Sequence, residues 1–520
     1  MKLILIPTFI LFACFIKATA QQPEMVIGSE FKTDTREVPI ELLAHNEQGY
    51  YMLYAEGKFG QGEASIVKFN HDLLPSSEKL TLSVNDKAEE FESLGFVRLD
   101  TLLYHLTIID IPKARFFYAQ PVNISSFTLG TKSIIHTYVH NGAVDVSSMD
   151  VSYFTSKGAT GFSLLMSMPD EKDMQKKLQL LEYDKELQLI SDNTYWLPYH
   201  SLQLQITQIL IEDEAVLLLA RNYFRTNIYT AKNRKEYDYI LFKLADDEVH
   251  EVTKIGINKK HLSQIKMRKI GEDSIVFVGL FSERDYYAAK GTFLFNFDLR
   301  NESLSTPQFE YFPKDYFSKL LLNPEKNEID RRFDKGKQEE KNLMMFSVLA
   351  RPEGEFTIVA EDFSVASTSS GLHFHYGNIT VVQLGGSGKL QWISKIAKDN
   401  SFYQHPFYSH FLLLDNYPNS MHFFYNDDKR NVVHTRGPIY QAFPMFGGKE
   451  HLVLMHMELK PDGSYKRNIV TTEEEFDGFR VRTDFYEWIN EEEVLIFAQH
   501  AANVKKQRLI KLKLNSKSGI

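Results

Sequence analysis

Short runs of alternating apolar residues, each ending in a polar turn, recur along the whole of this chain, and few folds can use them. Ile66-Val67-Lys68-Phe69-Asn70, Leu180-Leu181-Glu182-Tyr183-Asp184, Leu241-Phe242-Lys243-Leu244 and Phe295-Asn296-Phe297-Asp298 share the pattern. So do Val381-Val382-Gln383-Leu384, His456-Met457-Glu458-Leu459 and Lys511-Leu512-Lys513-Leu514. A period of two is that of a strand with one buried face. The last apolar residues of these runs fall at 69, 183, 244, 297, 384, 459 and 514. The first gap is about twice the usual spacing, so one more unit is expected inside it, with Phe116-Phe117-Tyr118 as its strand. A repeat of roughly 55–60 residues is slightly longer than one four-stranded propeller blade.

The unit around 265–310 shows four strands, a to d, at 264–270, 274–281, 291–298 and 308–312. The last unit has three, at 479–488, 493–499 and 508–514. An alternating segment at 24–31 precedes the first a strand and has no sheet of its own. Pairing it with the last unit would remove two exposed sheet edges, which otherwise template aggregation. The expectation is an all-β, closed β-propeller of about eight blades, with seven as the runner-up. It forms one domain over 21–520, and the strands of 115–160 are hard to place. A charged insertion at about 314–342 mixes both signs, as a solvated helix or mobile loop does, with a partner-docking arm as the alternative.

Turns joining a to b and c to d are short and built from Gly, Asp and Pro, as in Gly271-Glu272-Asp273 and Lys460-Pro461-Asp462-Gly463. The long segments fall between b and c, at roughly 169–177, 221–237, 282–290, 361–377 and 426–450. In a propeller these emerge on one face, and loops on a rigid scaffold are the usual place for function. Tyr and Arg combine contact area with directed hydrogen bonds. The ligand-binding candidates are therefore Arg225, Arg284, Tyr286, Tyr287, His373, His375, Tyr376, Arg430 and Arg436, with Arg221 and Tyr223 on the same segments.

His373 and His375 would share one side of a strand, which suits a metal, but a third ligand such as Asp362, His405 or His410 is not implied by spacing. Satisfied structural histidines are the simpler reading, so no metal and no cofactor are expected. Paired carboxylates such as Asp427-Asp428 fall in expected turns. No nucleophile elbow, zinc-protease helix or phosphate-binding loop occurs, and no catalytic residue is assigned.

Residues 1–20 read as a secretory signal: Lys2, an apolar run from Leu3 to Ile16, and Ala18-Thr19-Ala20 before Gln21. Leu11-Phe12-Ala13-Cys14 resembles a lipoprotein box, but bulky Phe12 favours cleavage after Ala20 over a lipid anchor at Cys14. No other stretch is long and apolar enough for a transmembrane segment. Cys14 is the one cysteine, so the mature chain would carry no disulfide or thiol nucleophile. A secreted eukaryotic protein of this size usually has disulfides, which favours a bacterial envelope: periplasm, cell surface or extracellular. Loss of Lys2 and Lys17 takes the net charge from −9 to −11, which argues against nucleic acid as partner.

The segment His375-Tyr376-Gly377-Asn378-Ile379-Thr380-Val381-Val382-Gln383-Leu384, followed by Gly388-Lys389-Leu390-Gln391-Trp392, resembles one blade of secreted, largely uncharacterised propeller-like proteins of Bacteroidetes-type bacteria. The rest of the chain matches loosely. The resemblance implies a propeller and an envelope location, and carries over no catalytic residue. Trp392 is also similar to the Trp that docks neighbouring blades in quinoprotein-type propellers, though a single copy gives no support to quinone binding. The function expected is a non-enzymatic binding or scaffold propeller whose b–c loop face holds a peptide, glycan or envelope protein. The alternative is a hydrolase acting on glycan or peptide in the central pocket.

Overall fold

In strand Val216–Tyr223, Leu217 and Leu219 face one way and Leu218 and Ala220 the other, and all four are sealed from solvent. A strand apolar on both faces needs a packed neighbour on each side. Gly49–Ala55, Gly161–Ser167 and Ser420–Asp428 are buried along their whole length in the same way, and Ser274–Ser282 along all but its first residue. Each is the second strand of an antiparallel four-stranded unit.

The computed structural model describes residues 23–33, 38–55, 64–82, 91–99, 102–140, 149–156, 160–168, 175–211, 215–224, 236–245, 248–257, 259–321, 323–368, 371–403, 406–416, 420–433, 452–471, 473–500 and 503–513. They form an eight-bladed β-propeller. Blades 1 to 7 span 38–82, 91–139, 150–200, 204–255, 261–311, 343–403 and 412–471. Blade 8 takes three strands from 479–513 and its fourth from the other end of the chain. There Glu24–Ile27 pairs antiparallel with Asn503–Lys513, Glu24 opposite Lys513, and Phe31 pairs with Gln507. The described strand residues of the alternating runs named above lie on third strands, including 116–118 on Ala114–Asn123.

Among the described residues the apolar core falls into eight clusters, one between each pair of neighbouring blades. The last and the first blade share one, built from Phe31, Tyr54, Phe69, Phe485, Leu495 and Phe497. Side chains reinforce this ring. Gln208, on the first strand of blade 4, donates to the Met267 carbonyl (2.6 Å) and accepts from the Met267 N–H (2.7 Å) on the first strand of blade 5. Gln264 repeats this on blade 6, with Leu343 O at 2.5 Å and Met345 N at 2.6 Å. Each glutamine follows a bulged hydroxyl residue, Thr207 or Ser263, that donates to its own blade's second strand. The bulge turns the amide outward to the neighbour. Trp392 docks blade 6 on blade 7, as expected: Nε1 donates to the Pro461 carbonyl (2.7 Å). Gly463 has φ +80°, and a Cβ there would sit 2.7 Å from the indole.

Two expectations are corrected. Segment 361–377 is no loop: Phe356–Thr368 and Gly371–Leu384 form one long hairpin, because alternation continues through Phe363, Val365, Phe374 and Tyr376. Nor is the charged insertion wholly solvated: it holds a helix exposed over 324–328, but its other side is packed. Its helices, Lys314–Ser318 and Asn323–Asp334, bury Tyr316 and Phe317 and pack Ile329 and Phe333 against the core between blades 5 and 6. Most of its charge lies on its outer side, where Arg331 pairs with Glu328, while Glu339 is buried.

Candidate ligand-binding site

The b–c loop of blade 5 is held rigidly. Ser282 Oγ accepts from the N–H groups of Arg284 (3.1 Å) and Asp285 (2.9 Å), and Asp285 accepts from Tyr287 N–H (3.0 Å). Glu339 of the insertion accepts from Glu283 N–H and Ser282 Oγ, and Ala288–Ala289 pairs with Glu340–Lys341. Burial raises the Glu283 carboxyl, but Lys290, Tyr311 and Lys260 outweigh this and hold it at about 2, so it is ionised and tethers all three. This loop fixes Tyr286 and Tyr287 and leaves Arg284 exposed.

Both tyrosines join a cluster at the loop end of the blade 4–5 interface. Tyr237 is its centre, with ring centroids 5.5 Å from Tyr223, 5.5 Å from Tyr239, 5.4 Å from Tyr286 and 6.1 Å from Tyr287. Its hydroxyl lies 2.9 Å from the Ser263 carbonyl. The His261 ring lies tilted against Tyr286, centroids 3.9 Å apart. The Arg221 guanidinium lies 4.8 Å from the Tyr237 ring centre and 5.3 Å from that of Tyr239. Burial pushes the Tyr237, Tyr239 and Tyr286 hydroxyls up, so they stay neutral.

Cavities flank this cluster. One, of about 790 Å³, lies between blades 3 and 4 and is lined by Asp150, Ser152, Phe154, Lys176, Ser201, Gln205, Thr207 and, from the cluster, Tyr223 and Tyr287. A second, of about 230 Å³, lies against Tyr237, Tyr239, Tyr286, Asp238, Lys259 and His261.

The other candidates sit elsewhere. His373, His375 and Tyr376 lie on the long hairpin of blade 6. His375 Nε2 meets Asp399 at 2.9 Å, and Tyr376 packs on Phe363. Beneath them Glu361, fully buried, binds Lys398 Nζ (2.5 Å) and His410 Nδ1 (2.7 Å). Lys398 also donates to the Ser409 carbonyl, and Asn400 and Asn426 bond neighbouring carbonyls, which pins the blade 6–7 link. Arg430, on Arg430–Val433, forms a two-pronged pair with Asp428. Asp427 and Asp428 end strand Ser420–Asp428 and are buried; neither lies in a turn. Burial pushes the Asp427 carboxyl up to about 6. Arg225, Arg436 and His405 lie outside the described residues, as do residues 1–22. Among the described residues, no group of three or more His, Cys, Asp or Glu side chains is placed to hold a metal, and no helix is long and apolar enough to cross a membrane.

The loop positions of Tyr286 and Tyr287 were legible in the sequence. Tyr237, Tyr239 and His261 were missed. Tyr-x-Tyr at a strand start reads as ordinary β pattern, and nothing local says that it faces Arg221.

No protein-family model matches the chain, and no curated protein resembles it in sequence. Solved structures that resemble it include the WD40 domain of SCAP from fission yeast (9% identity, TM-score 0.37, covering 94% of this chain and 98% of that one). Others are prolyl endopeptidases (7%, 0.39, 91% and 55%) and an ulvan lyase of polysaccharide lyase family PL25 (10%, 0.39, 80% and 90%). At such identities and scores the likeness carries no argument about function.

Proposed function

We propose that this chain is an exported binding module of a bacterial envelope and that it holds a saccharide in the cavity between blades 3 and 4. The cavity carries the reading. About 790 Å³ lies within the roughly 300–1,000 Å³ common for small-ligand sites. Its wall offers hydroxyls and an amide from Ser152, Ser201, Thr207 and Gln205, with the rings of Tyr223 and Tyr287 at one side. A sugar presents hydroxyls at its edge and C–H groups on its faces, and needs this mixture of partners. Among the described lining residues Asp150 is the one carboxylate. Glycoside hydrolysis ordinarily needs two, about 5–9.5 Å apart, so the wall favours holding a sugar over cleaving it. Residues 1–20 and the lack of cysteine beyond Cys14 support export.

Calorimetric titration of chain 21–520 with panels of oligosaccharides and of peptides tests this. A saccharide is expected to bind, and Tyr287→Ala to weaken it about tenfold or more, roughly 1.4 kcal/mol. Binding of peptides but no saccharide, or a saccharide indifferent to Tyr287→Ala, overturns the proposal.

A further inference from the structure

Strand Phe356–Thr368 of blade 6 outruns its neighbour on the inner side. The first strand of that blade, Leu343–Ala350, is entered from Glu340–Lys341, which pairs with Ala288–Ala289 in the b–c loop of blade 5, by a turn at Asn342 (φ +63°). It therefore starts opposite Asp362. The Phe363 N–H still reaches the Asn342 carbonyl (2.8 Å), and there the inner pairing ends. From Asp362 the second strand runs on to Thr368, about 20 Å at roughly 3.4 Å per residue. Its outer side stays paired with Gly371–Leu384, which in turn holds Asn400–Tyr403. By the alternation of a strand, Val365 and Ser367 turn their N–H and C=O groups the same way as Phe363, away from Gly371–Leu384. Among the described residues those groups meet no backbone partner.

Nothing in the sequence blunts this edge. From Phe363 to Phe374 there is no Asp, Glu, Lys, Arg or Pro. Outer strands elsewhere in the ring carry such charges, as Glu78 and Lys79, Glu248 and Glu251, or Lys466 and Arg467 do. Charge and proline are what usually keep a free edge from pairing. Val365, Ala366, Ser367 and Thr368 are exposed, and on one face of the hairpin Val365 and Leu372 leave apolar side chains in solvent.

We propose that this edge pairs with the same edge of a second copy of the chain, antiparallel about a two-fold axis at Ala366, so that the loop faces of two rings meet. On a two-fold axis every group approaches its own copy, so a charged edge would repel itself and this uncharged one does not. An axis at Ala366 sets Val365 opposite Ser367 of the partner subunit and Ser367 opposite Val365 of the partner subunit. That uses every outward N–H and C=O of these residues, about four hydrogen bonds. An axis at Val365 would instead set Ser367 against a Phe363 whose N–H is already bonded. With the axis at Ala366, a row of side chains on one face runs from Phe374 through Val365 to Ser367 and Leu372 of the partner subunit. The contact is small, so the dimer forms at high protein concentration and dissociates on dilution. The inference goes beyond the saccharide reading and does not depend on it.

Chain 21–520 has no cysteine, so a cross-link reads the register directly. Across a non-hydrogen-bonded antiparallel pair the Cα atoms lie about 4.5 Å apart, within reach of a disulfide. Ala366→Cys is expected to give a disulfide-linked dimer under mild oxidation, reversed by dithiothreitol. Thr368→Cys, at a position that is also exposed, should give little, because its two copies lie about 14 Å apart along the strands. Sedimentation equilibrium of chain 21–520 up to a few hundred micromolar should fit a monomer and dimer in exchange. Val365→Pro should leave the monomer folded by circular dichroism, since the lost N–H faces solvent, and should weaken the dimer about tenfold or more. A monomer at every concentration, equal cross-linking of Ala366→Cys and Thr368→Cys, or a dimer indifferent to Val365→Pro overturns the proposal, and the first of these leaves the edge to a foreign strand.

Discussion

Asp362 carries an unusual position for a carboxyl. Its Oδ1 is sealed from solvent with no hydrogen-bond partner, while Oδ2 accepts from Asn378 at 3.1 Å. Burial, and then the charge of Glu340, push it up to about 7, against the pull of Lys395 and Asn378. The folded pKa thus exceeds the unfolded one, so the fold holds the proton that the unfolded chain releases near pH 4. Stability from this group is full below about pH 4, declines as pH rises towards about 7, and is flat beyond. Asp362→Asn removes the charge and can keep the bond from Asn378. Thermal and urea unfolding should show the variant more stable than wild type at pH 8, by on the order of a few kcal/mol, and equal to it near pH 4. A variant no more stable at pH 8 would mean that the carboxylate is compensated in the fold. His105 and His456 have the opposite sign. Burial lowers both to about 3, so their contribution is full above pH 6.5 and lost as pH falls towards 3. His456 Nε2 meets His422 Nδ1 at 2.9 Å inside blade 7.

Among elements, strands were legible where one face is buried and the alternation is clean. Gly291–Asp298 and Phe479–Trp488 were bounded to the residue. Blade 2 was not, because its fourth strand is broken into Thr128–Leu129, too short to show a period, and Ser133–Val139, which has no buried face. The hairpin of 356–384 was misread over 361–377 because Ser364, Ser367, His373 and His375 interleave with its apolar positions and look like a loop. The tyrosine site was half legible for a related reason: loop length is local information, whereas the meeting of Arg221 with Tyr237 depends on strand register. The glutamine latches were invisible too, since a lone Gln after Thr or Ser is common on any strand. Their value is measurable. Gln264→Leu would orphan the Leu343 carbonyl and the Met345 N–H at a buried edge. At about 1–3 kcal/mol for each group, urea unfolding should register a loss of roughly 2–6 kcal/mol. A loss under about 0.5 kcal/mol would show that water replaces both bonds and that the latch adds nothing to the ring.

For the whole molecule, the decisive feature is that one blade draws strands from both ends of the chain. Seven blades are formed from local hairpins, while blade 8 joins residues more than 470 positions apart, as in Lys506 bonded to Glu30 at 3.0 Å. A pairing of that separation comes late, because loop closure must precede any gain from it. Once made, it covers the edge of Asn503–Lys513 and adds Phe31 to the core shared by blades 8 and 1. A ring that depends on such a seam should fail there first. Removing residues 21–33 would bare Val504 to Lys513 as a sheet edge carrying unpaired N–H and C=O groups, and would uncover part of that core. The shortened protein should unfold at a lower temperature than chain 21–520. It should also associate with rising concentration, since an open edge recruits a strand from a neighbour. Differential scanning calorimetry reads the first effect and light scattering on a sizing column the second. Adding back a peptide of residues 23–33 should restore the melting temperature and suppress association, because it pairs with the same edge. A shortened protein that melts with the parent and stays monomeric would show that the blade 8–1 core alone holds the ring, and that the terminal strand is dispensable.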